Sequence, residues 1–128
     1  MAIEIVVLIP ILLLVLMLVV AGGRLVSVEG QVEAAARDAV RAATLERDAA
    51  AAGRAATASV DASIPDDMTC APVTLATPRG FVAGETVTAT LSCHVSWSDL
   101  SSLGLPGTKT VTASSSAPLD LYRRTGAA

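Results

Sequence analysis

The side chains that could do chemistry are few: two cysteines, one histidine and a pair of adjacent acids. Cys70 and Cys93 are far apart in sequence and do not form a CxxC pair. Two cysteines and one histidine cannot complete a four-ligand zinc site without distant carboxylates, so we expect no metal. We expect a Cys70–Cys93 disulfide, which implies an oxidising compartment, and two buried free thiols are the alternative.

His94, Asp66 and Asp67 do not form a catalytic set. His94 falls on the polar face of a predicted strand, which favours a solvent-facing or interface side chain. Asp66 and Asp67 are neighbours in a predicted linker, so they do not face each other as an acid–base pair. The sequence contains no glycine-rich phosphate loop, GxSxG or HExxH motif. We therefore expect neither an enzyme nor a bound cofactor.

Glu4 is the remaining candidate functional residue, because it stands one residue before a long uncharged run. An ionisable group at a membrane boundary is costly and suggests a function. Glu4 either rests at the interface, where the helix dipole favours a carboxylate, or pairs with an N-terminal amine. That amine is its own or a neighbouring subunit's, and the pair would set the axial register of a helical assembly.

Residues 5–23, which follow Glu4, predict a membrane-spanning helix. They are nineteen consecutive residues without a charge. A helix of this length spans about 28 Å, close to the roughly 30 Å of a bilayer core. A cleaved signal peptide is the alternative, although its apolar region is shorter and follows a basic start. Pro10 removes one backbone donor, so we expect a bend or local loosening of the helix there.

Residues 24–60 predict an amphipathic, alanine-rich continuation of the same helix. Apolar or small residues recur at a spacing of three and four along one narrow face: Leu25, Val28, Val32, Ala36, Ala39 and Ala43. An uninterrupted helix over residues 3–59 would be about 85 Å long. Because so thin a helix has no core of its own, we expect this face to pack on another subunit's helix. An exposed stalk and a two-helix hairpin are the alternatives.

Residues 61–68 predict a linker, residues 69–122 a small three-stranded antiparallel β module, and residues 123–128 a tail. Every odd residue from Val87 to Trp97 is apolar, and every even residue from 86 to 98 is polar. This alternation is typical of a strand with one buried face.

Weaker strands are predicted at about 69–77 and 109–116. So small a module needs a covalent cross-link to be stable. A disulfide would contribute about 3 kcal/mol to its free energy of unfolding. The predicted fold class is therefore α+β.

The composition argues against nucleic-acid binding. The net charge is −3, aromatic residues make up 2% of the chain, and the basic residues are scattered. A nucleic-acid interface normally combines a basic face with stacking aromatics. Hydrophobic residues make up 52% of the 128 residues, but most lie in the aliphatic run and the alanine-rich stretch. The remainder is too small for a large core.

The N-terminus resembles that of the TadE-like pilins and minor pseudopilins. The resemblance lies in Ala2-Ile3-Glu4, the aliphatic run, Pro10 six residues after the glutamate, and Gly23-Arg24 at its end. These are small pilin-like proteins of the tight-adherence (type IVc) branch of type IV pili. Residues 103–107 (LGLPG), residues 110–113 (TVTA) and Tyr122-Arg123 are similar to the C-terminal ends of some members.

The resemblance implies how the N-terminus is processed. In that family a prepilin peptidase cuts after a glycine in a short basic leader, and the glutamate becomes the fifth mature residue. The resemblance gives Glu4 the role of that glutamate. It also implies that one residue precedes Met1 in the mature chain and that a leader precedes that residue. Arg24 after the span favours an external N-terminus, but a removed basic leader reverses that count. Since the disulfide places the β module outside, we expect the N-terminus inside.

The expected function is that of a structural pilin-like subunit, a minor pseudopilin. Its helix would be held in membrane lipid and then pack with copies of itself or other pilins in a surface filament. The resemblance implies the pilus assembly machinery and prepilin peptidase as further partners. The alternative is an extracellular binding module on a membrane stalk that does not enter a filament.

Overall fold

A computed structural model describes residues 2–96 and 106–122 of the chain. They form two helices followed by a four-stranded antiparallel sheet: α1 (Ala2–Leu45), α2 (Ala49–Ser63), β1 (Thr69–Cys70), β2 (Thr74–Ala76), β3 (Thr86–Ser96) and β4 (Thr108–Pro118). The predicted α+β class, with a long N-terminal apolar helix and a small antiparallel sheet, is confirmed.

The first helix ends at Leu45, which corrects the prediction of one continuous helix through residues 24–60. Asp48 has extended backbone (φ −133°, ψ 159°) and caps α2. Its Oδ1 accepts a hydrogen bond at 2.7 Å from the backbone N–H of Ala51. An N-cap residue leaves the helical path while satisfying a donor of the next helix. Asp48 is therefore the point at which the chain changes direction.

The second helix returns along the first, so the two form an antiparallel hairpin. Three residues separate the start of α2 from Leu45. Pro65 and Met68, just after the end of α2, share a cavity with Arg24 and Val28. The buried residues of the two helices are all alanine or valine: Val32, Ala35, Ala36, Ala39, Val40, Ala43, Ala52, Ala56 and Val60. Such small side chains let two helix backbones approach closely.

The hairpin and the sheet together cover the small-residue face predicted on α1. Val32, Ala36, Ala39 and Ala43 are fully buried, and Leu25 and Val28 are partly buried against the same core. This face is thus covered from within the chain, by the hairpin left as an alternative above, and not by a helix of another subunit.

The central strand of the sheet is β3. β4 pairs with it over its whole length, from Thr86↔Pro118 to Ser96↔Thr108, while β1 and β2 lie end to end along its other edge. The predicted alternation is confirmed as far as residue 96, since every odd residue of this strand is buried: Val87, Ala89, Leu91, Cys93 and Val95. Trp97 and Ser98 lie outside the described residues.

The first predicted strand, at about 69–77, is two short strands, so the sheet has four strands and not three. Its register shifts by one residue between Cys70↔Cys93 and Thr74↔Thr90. Pro72 lies in this gap and has no N–H to donate to the ladder, which is typical of an edge-strand interruption. The predicted linker is also shorter, because α2 continues to Ser63.

Close packing between the helices predicts that a larger side chain at their interface is harmful. Ala39 is fully buried and Ala34 is exposed. We expect Ala39→Leu to lower the free energy of unfolding by about 1–3 kcal/mol through overpacking, and Ala34→Leu to leave it nearly unchanged. Urea unfolding of the full chain in micelles, followed by circular dichroism, measures both. Equal midpoints for the two variants would contradict the hairpin.

Candidate functional site

The candidate functional site is the apolar segment of α1, defined here as residues 2–23. Residues 2–20 are exposed at every position, and most large apolar side chains among them are at least half exposed. The helix is long and apolar enough to cross a membrane. Exposed apolar surface on this scale is not left to water, so it requires lipid or protein around it.

Few exposed large apolar side chains lie outside this segment in the described residues: Val26, Leu45, Val82, Leu121 and Tyr122. The folded unit, which is formed by residues 25–96 and 106–122, therefore offers no comparable apolar surface among its described residues. Among the residues that the structure describes, the apolar segment carries most of the exposed large apolar side chains.

The structure places Glu4 in the first turn of α1. It is the only charged residue of the apolar segment, and nineteen uncharged residues separate it from Arg24. The first-turn position suits a carboxylate, because the unpaired N–H groups and dipole of a helix N-terminus favour negative charge. A register role for Glu4 remains a prediction.

Helical backbone continues through Pro10. Proline has no N–H, so the carbonyl of Val6 lacks the partner that an unbroken α-helix supplies. An unsatisfied carbonyl is costly in lipid unless neighbouring groups compensate for it. The helix does not end at Pro10. A bend or local loosening at this residue remains a prediction.

A disulfide between Cys70 and Cys93 cross-links the sheet, so the predicted pairing is confirmed. Cys70 of β1 is directly opposite Cys93 of β3, with 3.9 Å between their Cα atoms. Cys93 is fully buried. Because β1 has only two residues, this covalent bond fixes the chain leaving α2 to the central strand.

The other residues considered for chemistry do not converge. His94 is exposed, and its Nδ1 lies 2.9 Å from Oγ1 of Thr110 on the neighbouring strand. Asp66 and Asp67 are exposed in the turn after α2. Within the two described ranges no three His, Cys, Asp or Glu residues come close enough to hold a metal ion.

One cavity was not predicted, and it lies where α1 leaves the apolar segment. Arg24, Ser27 and Gln31 line one side of it, and Asp67 and Met68 line the other. The α1 residues share a helix face by their spacing of three, four and seven. Nothing in the local sequence indicates that Asp67 lines the same cavity as these residues, because it does so only if α2 folds back.

The comparisons with known proteins concern the N-terminal third of the chain. The family model of the TadE-like proteins matches residues 1–41. The resemblance of the N-terminus to TadE-like proteins is thus confirmed. No curated protein and no solved structure matches the chain. The matched range covers the apolar segment and most of the remainder of α1, whereas α2 and the sheet lie beyond it.

The disulfide predicts a measurable difference between the oxidised and reduced protein. Thiol labelling of the denatured, non-reduced protein should detect no free cysteine. Reduction should lower the free energy of unfolding by about 3 kcal/mol, the chain-entropy value for a loop of this size. Urea unfolding with and without reductant measures the loss, and two labelled thiols per non-reduced chain would contradict the bond.

Proposed function

From the match to TadE-like proteins, we propose that this chain is a minor pseudopilin, a structural subunit of a tight-adherence pilus or of its assembly complex. The apolar segment of α1 is held in the membrane and then packs against the apolar helices of other subunits. The observation that carries the proposal is that residues 2–20 are exposed at every position. A segment apolar on all sides can exchange lipid for helices without exposing polar backbone.

The proposed location is a single-pass membrane protein whose folded unit lies outside the cytoplasm. Support comes from the Cys70–Cys93 disulfide, because such bonds persist in oxidising compartments. With the folded unit outside, the N-terminus of α1 is inside, and the chain becomes part of a surface filament when it is assembled. The proposed partners are copies of itself or other pilins, a prepilin peptidase and the assembly machinery.

The hairpin limits how much of α1 is available for this packing. Residues from Val32 to Ala43 already face α2 and the sheet of the same chain. Assembly therefore uses the apolar segment, a helix of about 33 Å. The folded unit stays intact while its anchor changes environment.

The hairpin also bears on the alternative, a binding module carried on a membrane stalk. A stalk requires residues 24–59 to be solvated, yet much of this range forms the core of the folded unit. In the described structure the folded unit begins within two turns of the apolar segment. This arrangement favours an anchored subunit over a module held away from the membrane.

Glu4 supplies the register that the apolar side chains cannot supply. Valine, leucine and isoleucine faces are nearly equivalent at successive turns, so helices that pack through them alone can slip. A carboxylate opposite an amine in a low-dielectric bundle penalises every register that leaves either charge unpaired, by several kcal/mol as an order of magnitude. The proposed partner is an N-terminal amine of this or a neighbouring subunit.

The test is substitution of Glu4 in the full chain. Glu4→Leu and Glu4→Gln should preserve membrane insertion and the disulfide-bonded fold but reduce incorporation into filaments. Glu4→Asp should be intermediate, because its shorter side chain reaches less far. The measurement is the amount of subunit in sheared surface filaments from cells with equal membrane levels.

The matched control is Glu29→Gln, which removes an exposed glutamate of α1 outside the apolar segment. We expect its incorporation to equal that of the unchanged protein. Undiminished incorporation of Glu4→Leu would reject the register role, and absence of the unchanged protein from both filaments and assembly complexes would reject the proposed function.

A further inference from the structure

The cavity beside Arg24 has a volume of about 180 Å³ and is built from three parts of the chain. The α1 face contributes Arg24 and Gln31, the turn after α2 contributes Asp67 and Met68, and the end of β3 contributes Val95. It therefore exists only in the folded hairpin. Its volume is below the 300–1,000 Å³ range typical of sites for drug-sized ligands and cofactors, which favours a small polar group.

The position of the cavity along α1 places it at the depth of lipid headgroups. Its first residue, Arg24, directly follows the uncharged run that ends at Gly23. From Arg24 to Gln31 the helix rises about 10 Å. The headgroup zone on each side of a bilayer core is about 5–8 Å thick. A span formed by residues 5–23 therefore places the cavity at the boundary between lipid and water.

The charges of the lining match a group that carries both a phosphate and an amine. Arg24 brings a guanidinium, whose planar N–H groups suit phosphate oxygens. Arg24 already makes an interaction within the folded chain, but its five N–H donors leave capacity for a further acceptor. Asp67 brings an acceptor-only carboxylate, which suits an ammonium donor.

We propose that this cavity binds the headgroup of a phosphatidylethanolamine molecule of the outer leaflet. Arg24 holds the phosphate, Asp67 accepts hydrogen bonds from the primary ammonium, and Met68 and Val95 supply apolar walls. The lipid is continuous with the membrane that surrounds the apolar segment. The proposal rests on the part of the proposed function that places α1 across the membrane with the folded unit outside, and it is independent of entry into a filament.

Headgroup chemistry makes the proposal specific. The ammonium of phosphatidylethanolamine has N–H donors for Asp67, whereas the trimethylammonium of phosphatidylcholine has none. Phosphatidylglycerol carries the phosphate without an amine. Hydrogen bonds to a charged group contribute enough that losing them lowers affinity by about tenfold. We therefore expect a preference for phosphatidylethanolamine that depends on Asp67.

The experiment uses the full chain in nanodiscs that contain equal amounts of the three lipids. Native mass spectrometry counts the lipids that each released chain retains. The unchanged protein should retain phosphatidylethanolamine over phosphatidylcholine by about tenfold. Asp67→Asn should weaken the preference, because the amide oxygen that remains is an uncharged acceptor, and Arg24→Gln should reduce retention of every phospholipid.

Two control variants change charges outside the cavity. Asp66→Asn alters the neighbouring exposed acid, and Arg47→Gln alters a cation in the turn between the helices. Both should keep the preference. Circular dichroism of each variant checks that the helices remain folded.

Three results would overturn the proposal: equal retention of the three lipids, an undiminished preference in Asp67→Asn, or a preference for phosphatidylglycerol. A further arm adds free phosphoethanolamine at the same molar concentration as the lipid. It should not displace the lipid, because the acyl chains hold the headgroup at high effective concentration. Displacement would identify a soluble ligand and reject the lipid assignment.

Discussion

Close contact between small side chains of α1 and α2 is the interaction on which the folded unit depends. With one Trp, one Tyr and one Phe in the chain, no large aromatic core is available, so the helices must approach closely to exclude water. Alanines at positions 36, 39, 52 and 56 permit that approach. The buried face of β3 and β4 then closes over α1, and the disulfide secures the short strand that leads into the sheet.

This packing divides α1 into two parts with different environments. The second half is committed to the interior of its own chain, whereas the apolar segment is exposed on every side. The family match covers most of this helix, and the sheet and α2 lie outside it. The proposed pilus role therefore rests on the apolar segment, and the proposed lipid site requires both a membrane span by that segment and the hairpin. Loss of the pilus role would leave the lipid site possible, provided that the segment spans the membrane.

The parts of the structure that could be predicted are those that depend on a short stretch of sequence. β3 was predictable because its apolar residues alternate through Val95, and the bond between Cys70 and Cys93 followed from the small size of the module. The end of α1 was not predictable to the same degree, because alanines on both sides of Asp48 favour helix and a single capping residue marks the break. The cavity depends on that break in turn, since only the returning α2 brings Asp67 beside Arg24. Pro72 lies between β1 and β2. Its presence in the sequence could have predicted that the first strand is split in two.

The continuity of α1 has a mechanical consequence. One uninterrupted helix runs from the apolar segment into the buried face at Val32 to Ala43, so no loop separates the apolar segment from the folded unit. Tension on the anchor is carried as shear along the alanine contacts with α2 and along the strands that cover them. Torque on the anchor likewise turns the sheet with it. The orientation of the sheet is therefore set by the rotation of a single helix about its own axis.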